Sequence, residues 1–336
     1  MKNLRIGILS TAHVHADGFA DILQRTPNIE ILGFSEPDAT RAEAFSSSTK
    51  LKHFATHAAL MAEHPDAVII CSETSLHLPL TRLAARGGAH ILCEKPIATT
   101  LEDALQMQDV CQAAGVKFMT AYPMRFDSSL ISLKARLAQK DLGRVLAIIG
   151  INHAENPMHR RAWFANKHLA GGGAVMDHTV HLTDLYRWLL ESEVRCVQAE
   201  VSNPFFPDLD IDSAGFATLI LGTGETQVPA SIDCSWSRPV GIYPRWGHLK
   251  LEVILEDGAF EIDAFANKLS LYSRRTPRIA NWLGWGSDAT TKMLGAFLDT
   301  VRHDTSVPVT WQDGYEGLRV ALACYDSSDQ AREVLL

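Results

Sequence analysis

From Leu4 to Ala121 short apolar runs alternate with stretches of helical period, and that alternation leaves the chain few folds other than a parallel sheet wound from βαβ units. The runs Leu4–Leu9, Ile29–Ser35, Ala67–Cys71, His90–Cys93 and Val116–Ala121 predict strands. Ala16–Arg25, with Phe19, Ile22 and Leu23 at helical spacing, and Leu78–Arg86 predict helices between them. A further helix is expected near Thr99, whose hydroxyl would cap it while Glu102 answers three residues on. A first domain over residues 1–121 follows.

Residues 122–336 read differently. Leu130, Leu133 and Leu137 mark a helix, and Gly143-Arg144 opens the apolar run Val145–Ile151. The runs Val194–Val201, Ala214–Leu221, Ala230–Trp236, Lys250–Leu255, Ala259–Ala264 and Lys268–Tyr272 alternate in the manner of antiparallel strands, with Glu256-Asp257-Gly258 as a hairpin turn. Two closing helices, about Thr291–Arg302 and Gly314–Glu333, carry apolar faces that need a partner surface. The expected fold is α/β: an N-terminal Rossmann-type parallel sheet, then a C-terminal α/β domain with a large, mostly antiparallel open sheet onto which the last helices pack.

Composition narrows the function. A chain of 336 residues suits two domains, and 46% apolar with 21% charged residues, without low-complexity tracts, describes a compact globule. A net charge of −8 with no basic stripe excludes a nucleic-acid partner. The apolar N-terminal run is too short for a secretory signal and too interrupted for a membrane span. Six scattered cysteines, without paired or metal-type spacing, suit reduced thiols in a cytoplasm, and no disulfide is expected.

The loop after the first strand, Ser10-Thr11-Ala12-His13-Val14-His15, stands where dinucleotide-binding domains carry Gly-x-Gly-x-x-Gly. Laid over that motif, Ser10, Ala12 and His15 take the glycine places, and His15 is a real departure. The following helix N-terminus can still bind an anion through its amides, with Thr11 or His13 adding donors. Glu36, after the second strand, is placed to bind a ribose 2′-hydroxyl, and with no arginine beside it NAD is favoured over NADP; the alternative is a surface carboxylate in a Glu-Pro-Asp turn. Ser72, Glu73, Thr74 and His77 would line the same crevice.

At the chemical end Glu94-Lys95-Pro96 closes a strand and puts an ammonium where open α/β sheets gather ligands. There it can stabilise an alkoxide as charge develops; taken singly, a lysine after a strand is more often a solvated surface residue. Behind Gly171-Gly172-Gly173, which would let backbone and cofactor approach closely, Asp177, His181 and Asp184 share a helical face within roughly 60°, with His178 at its edge. His181 reads as general base and Asp177 as its orienting partner or a substrate ligand; a polar helix start with a capped histidine is the alternative. Tyr122, Arg125, His153, Arg161 and Trp163 are candidate walls of a sugar pocket, and Trp282 and Trp285 candidates for closing a pocket or a subunit contact. His13, His15, His153, Asp177, His178 and His181 offer ample imidazole for zinc, but none has His-Glu-x-x-His spacing, and no metal is expected.

At this point the chain resembles the Gfo/Idh/MocA oxidoreductase family over nearly its whole length. The segments that carry the resemblance are Asp66-Ala67-Val68-Ile69-Ile70-Cys71 running on to His77, Glu94-Lys95-Pro96, Arg125-Phe126, Trp163 ahead of Gly171-Gly172-Gly173, Asp177-x-x-x-His181 with Asp184, and Asp313-Gly314. The resemblance implies NAD(P)-dependent oxidation or reduction of sugars or cyclitols, Lys95, Asp177 and His181 as site residues, and a homodimer or homotetramer. Three functional classes stay open: a dehydrogenase of a secondary alcohol or hemiacetal, an NAD-requiring glycosidase or lyase that oxidises transiently, and a sugar or nucleotide sensor without turnover.

Overall fold

The structure is a computed structural model, and it describes residues 3–240, 247–266, 268–272, 280–284 and 288–336. The first half alternates strand and helix: β1 (Leu4–Leu9), α1 (Ala16–Arg25), β2 (Ile29–Ser35), α2 (Ala39–Thr49), β3 (His53–Phe54), α3 (His57–Met61), β4 (Ala67–Ile70), α4 (His77–Arg86), β5 (His90–Cys93), α5 (Leu101–Ala114) and β6 (Phe118–Thr120). All six strands run parallel, in the order β3-β2-β1-β4-β5-β6. The order reverses direction between β1 and β4, so the loops leaving these two strands diverge and open a crevice at the carboxyl edge of the sheet.

Several local expectations shift. The cap of α5 is Thr100, which accepts from the Asp103 amide, and not Thr99 with Glu102. Thr99 instead lies over Gly171, where a β-carbon would stand 3.2 Å from its own. Helix α2 escapes the periodicity reading because Ala39–Thr49 buries only Ala42 and Phe45 on a weakly amphipathic, serine-rich segment. Its start is fixed by a cap, the Asp38 carboxylate accepting from the Arg41 amide.

The second half adds α6 (Ser128–Leu137), β7 (Val145–Glu155), α7 (Lys167–Ala170), α8 (Ala174–Leu190), β8 (Val194–Ser202), β9 (Ala214–Leu221), β10 (Val228–Arg238), β11 (Gly247–Leu255) and β12 (Gly258–Asp263). After these come β13 (Lys268–Tyr272), β14 (Ala280–Gly284), α9 (Ala289–His303), α10 (Trp311–Gln330) and β15 (Val334–Leu335). Seven strands form one sheet, β12-β11-β7-β10-β9-β8-β15, antiparallel except where β10 runs parallel to β7; β13 and β14 pair antiparallel in a separate two-stranded sheet. The side chain of Trp282 and all of Trp285 lie outside the described residues.

Helix α8 crosses the inner face of the large sheet at close range. A β-carbon on Gly150 of β7 would stand 2.0 Å from the Tyr186 hydroxyl, so only glycine lets this helix sit so near. Two apolar cores result, one within the parallel sheet and its helices, the other between α8 and the large sheet. Helix α10 belongs to both: Trp311, Leu318 and Ala321 enter the first, Val320, Ala323 and Cys324 the second. No described helix is long and apolar enough to cross a membrane.

Candidate active site

The loop from Ser10 to His15 takes its shape from side chains where the glycine motif relies on absent ones. Ser10 adopts a left-handed backbone (φ 64°) that an L-residue holds only with compensation. Its hydroxyl donates to Glu36 Oε2 at 2.9 Å and accepts from the Ala12 amide at 3.2 Å. Thr11 adds its amide (2.8 Å) and hydroxyl (3.2 Å) to the same carboxylate oxygen. Helix α1 then begins at His15 without a cap from that residue's own side chain; His13 takes the His15 amide on Nδ1 (3.3 Å) and the Ala16 amide on its carbonyl (3.2 Å), and the remaining first-turn amides are the ones a helix start offers an anion.

Glu36 is buried, and its second oxygen accepts from the Asp38 amide at 3.0 Å and from Arg41 at 2.9 Å. Burial pushes its carboxyl upward, but the bonds from Arg41, Thr11 and Asp38 outweigh this and hold it below the usual range. The expectation that no arginine stands beside Glu36 is thereby corrected. Arg41, just inside α2, ion-pairs both Glu36 and, at 3.2 Å, Glu73; sequence distance hid it because the turn at Pro37-Asp38 folds α2 back over the strand end. Ser72 donates to the Glu73 carbonyl, and the His77 ring meets the Ile97 carbonyl, both buried at the base of the crevice.

Lys95 and Asp177 come together from the end of β5 and the first turn of α8. The Lys95 ammonium donates to Asp177 Oδ1 at 2.5 Å and to the Asp177 carbonyl at 3.2 Å. The other carboxylate oxygen accepts from the Trp236 indole at 3.2 Å, a partner the sequence reading missed because β10 lies far along the chain. Burial alone would raise the Asp177 carboxyl; Lys95, then His178, hold it well below the ordinary range. The Lys95-Pro96 peptide is cis.

Lys95 and Asp177 line a cavity of about 550 Å³ together with His13, His15, Glu94, Asn152, His178 and His181, a volume suited to a small ligand. Burial drives the imidazole of His178 down to about 4, and burial followed by the Lys95 charge takes His181 well below its usual value. Both rings are therefore neutral near pH 7. His178 has no hydrogen-bond partner at either nitrogen among the described residues, and His181 none at Nδ1.

Other expected pocket residues stand elsewhere. Strand alternation puts Asn152 on the inner face of β7, 3.4 Å from the His178 carbonyl, and His153 on the outer face, paired with Asp233 at 2.8 Å. Tyr122 is fully buried behind His181, its ring centre 5.8 Å from that imidazole. Arg125 spans Asp184 (2.9 and 2.6 Å) and Asp313 (2.8 Å), an ion network that ties α8 to the start of α10. Trp163 clamps the loop after β1, donating to the Ala12 carbonyl at 2.9 Å, and Arg161 pairs with Asp17 of α1. The triple glycine serves the chain itself. β-Carbons on Gly172 and Gly173 would meet the Tyr325 hydroxyl at 2.1 Å and the Asp212 carbonyl at 1.9 Å, and Asp212 takes the amides of Gly173 and Val175 at the start of α8.

Comparison with known proteins gives the same outline. Residues 4–122 match the family model described as oxidoreductase family, NAD-binding Rossmann fold, and residues 130–261 match the C-terminal domain model of the same GFO/IDH/MocA family. The chain belongs to the Gfo/Idh/MocA oxidoreductase family. It is 31% identical to a 1,5-anhydro-D-fructose reductase of Ensifer adhaerens over 49% of this chain and 50% of that protein. It is 24% identical to inositol 2-dehydrogenase 3 of Saccharopolyspora erythraea over 96% and 93% of the two chains. Among solved structures, GenD2 from gentamicin A biosynthesis, in complex with NAD, superposes with a TM-score of 0.89 at 19% identity, covering 100% of this chain and 97% of its own.

Proposed function

We propose that this chain is an NAD-dependent dehydrogenase or reductase acting on a secondary alcohol or hemiacetal of a sugar, sugar derivative or cyclitol. The observation that carries this reading is the Lys95–Asp177 pair in a cavity beside the neutral His181. The dinucleotide fits the fold on the chain's own features: the N-terminus of α1 for its pyrophosphate, and the crevice between the loops of β1 and β4. Because Glu36 is occupied by Ser10, Thr11 and Arg41, its part in binding is to hold the loop, and any contact with the ribose is made by a carboxylate already fixed in place.

When bound, NAD supplies a two-electron acceptor or donor at the nicotinamide ring. The residues do the rest. Lys95 places its ammonium against the substrate oxygen and stabilises negative charge there as the C–H bond weakens. His181 takes the hydroxyl proton on its neutral imidazole and returns it in the reverse direction. Asp177, steadied by Trp236, fixes the Lys95 ammonium in place.

The test is turnover across a panel of inositols, anhydro-sugars and glycosides, following NADH and product together. Lasting NADH in proportion to product supports the reading; neither product nor NADH with any member counts against it. His178 is a second neutral buried imidazole, one more base than alcohol oxidation needs, and it favours as a second reading a glycosidase or lyase cycle that returns the hydride. Product without accumulated NADH would select that cycle. The reading includes a homo-oligomer: Ile149 and Phe216 lie exposed on the outer face of the large sheet, and light scattering of the eluted protein tests it.

A further inference from the structure

His13 and His15 reach the cavity from the loop after β1, and Glu94 from the end of β5. One nitrogen of each ring and one carboxylate oxygen lie within 4.8 Å of one another. His15 Nδ1 is 2.9 Å and His13 Nδ1 3.6 Å from Glu94 Oε1. Ligand atoms about 2.0–2.1 Å from a tetrahedral cation stand about 3.4 Å apart, and the two measured edges bracket that value. We propose that His13, His15 and Glu94 bind a divalent transition cation of the zinc type, with its remaining coordination positions open to the cavity beside Lys95.

Four further features support the site. Glu94 is wholly buried, and its second oxygen takes the Lys95 amide at 3.2 Å, the kind of outer contact that orients a ligating carboxylate. His13 is 2% exposed, and its Nδ1 takes the His15 amide at 3.3 Å, a contact that turns this nitrogen toward Glu94. Trp163 and Phe164, with ring centres 6.2 and 5.5 Å away, hold that imidazole in place. The His15 side chain is 38% exposed and gives an ion a way in.

Charge favours a cation despite the nearby ammonium. Lys95 is matched by Asp177 at 2.5 Å, so Glu94 leaves the cluster with a negative charge for a divalent ion to neutralise. Two imidazoles and one carboxylate form a donor set suited to zinc and its transition-metal neighbours, unlike the all-oxygen cages that hold calcium or magnesium. The individual spacing of these residues in the sequence carries no metal signature, because the third ligand arrives from another strand. The chemical class of ligand for the open positions is an oxygen donor, a hydroxyl or carbonyl next to the one Lys95 engages; this role rests on the hydride-transfer reading, whereas binding of the ion does not.

The experiment uses the full chain, stripped with a chelator, reloaded with zinc or cobalt(II) alone, and dialysed. Expected are about one equivalent of metal per chain by elemental analysis, intense visible bands for the cobalt form, and an affinity at least about 100-fold lower in His15→Ala and in Glu94→Gln, with His303→Ala on α9 unchanged. His15→Ala is the decisive variant because the ring is partly exposed and its loss leaves the core intact. Less than a tenth of an equivalent in the reloaded protein, or equal affinity in wild type and His15→Ala, overturns the site. Turnover by metal-free protein that takes up no zinc overturns the site and leaves the hydride-transfer reading standing. Triad-dependent metal in a protein inert to every substrate upholds the site and overturns that reading.

Discussion

Glu36 and Asp177 are both deeply placed carboxylates at the two ends of one crevice, yet they are satisfied in opposite ways. Glu36 draws all its partners from nearby segments of the first half: Ser10, Thr11, Asp38 and Arg41 saturate both oxygens. Asp177 depends on Lys95 and Trp236, which are 82 and 59 residues away in the chain, and its neighbours His178 and His181 have ring nitrogens without a hydrogen bond among the described residues. A saturated acid shapes the loop around it. An acid held by long-range partners beside unsatisfied imidazoles marks where a ligand must complete the bonding.

The largest effect that would break this contrast is at Lys95. Lys95→Ala is expected to lower kcat by about 10³-fold while circular dichroism stays native, since the ammonium acts on developing charge. It also strands the Asp177 carboxylate, at a stability cost on the order of 3–5 kcal/mol. Adding Asp177→Asn should recover the stability and none of the turnover. Near-normal kcat in the single variant removes the lysine from the mechanism.

Next comes the saturated end. Glu36→Gln keeps the volume but cannot accept the same set of bonds, so denaturant unfolding should show a loss of about 2–3 kcal/mol, with weaker NAD binding. Glu36→Ala also frees Arg41 to meet a 2′-phosphate, and the ratio of NAD to NADP affinity should fall. Unchanged stability and unchanged preference together would remove Glu36 from both roles.

Acid sharpens the same comparison at the unsaturated end. His178 is neutral when folded, its imidazole lowered to about 4, while the unfolded ring titrates near 6.5. The unfolded chain therefore binds the proton first, and the contribution of His178 is fully present above about pH 6.5 and is lost as pH falls toward 4. His77, lowered by burial, adds in the same direction. Unfolding free energies from urea titrations should drop by about a few kcal/mol between pH 7 and 4.5, and His178→Asn should flatten that slope. The smallest effect is expected at Trp236→Phe, which removes one donor from Asp177: kcat should fall by about 3- to 10-fold with KM nearly unchanged, in steady-state kinetics.

The strands β1, β2, β5 and β9 coincide end to end with their apolar runs, because each run is bounded by a change of pattern that the backbone follows. The two-residue strands β3 and β15 carry no period to read. In the site, Lys95, Asp177 and the histidines were legible as residue types at the starts and ends of elements. Their partners were not: Trp236 and Arg41 matter through tertiary closure, and His153 looked like a pocket residue until the pleat of β7 turned it outward. The glycine triplet pointed correctly to close approach, but what approaches is Asp212 and Tyr325.

Helix α10 has one edge in each hydrophobic interior, and its Trp311 indole donates to the Ala104 carbonyl at 2.8 Å. Anyone building chimaeras between this enzyme and a relative therefore has three segments to exchange rather than two. A graft that ends at Ala121 leaves the nucleotide-binding half without a helix that completes the apolar interior around its parallel sheet, and the hybrid should aggregate unless the donor's last helix travels with it.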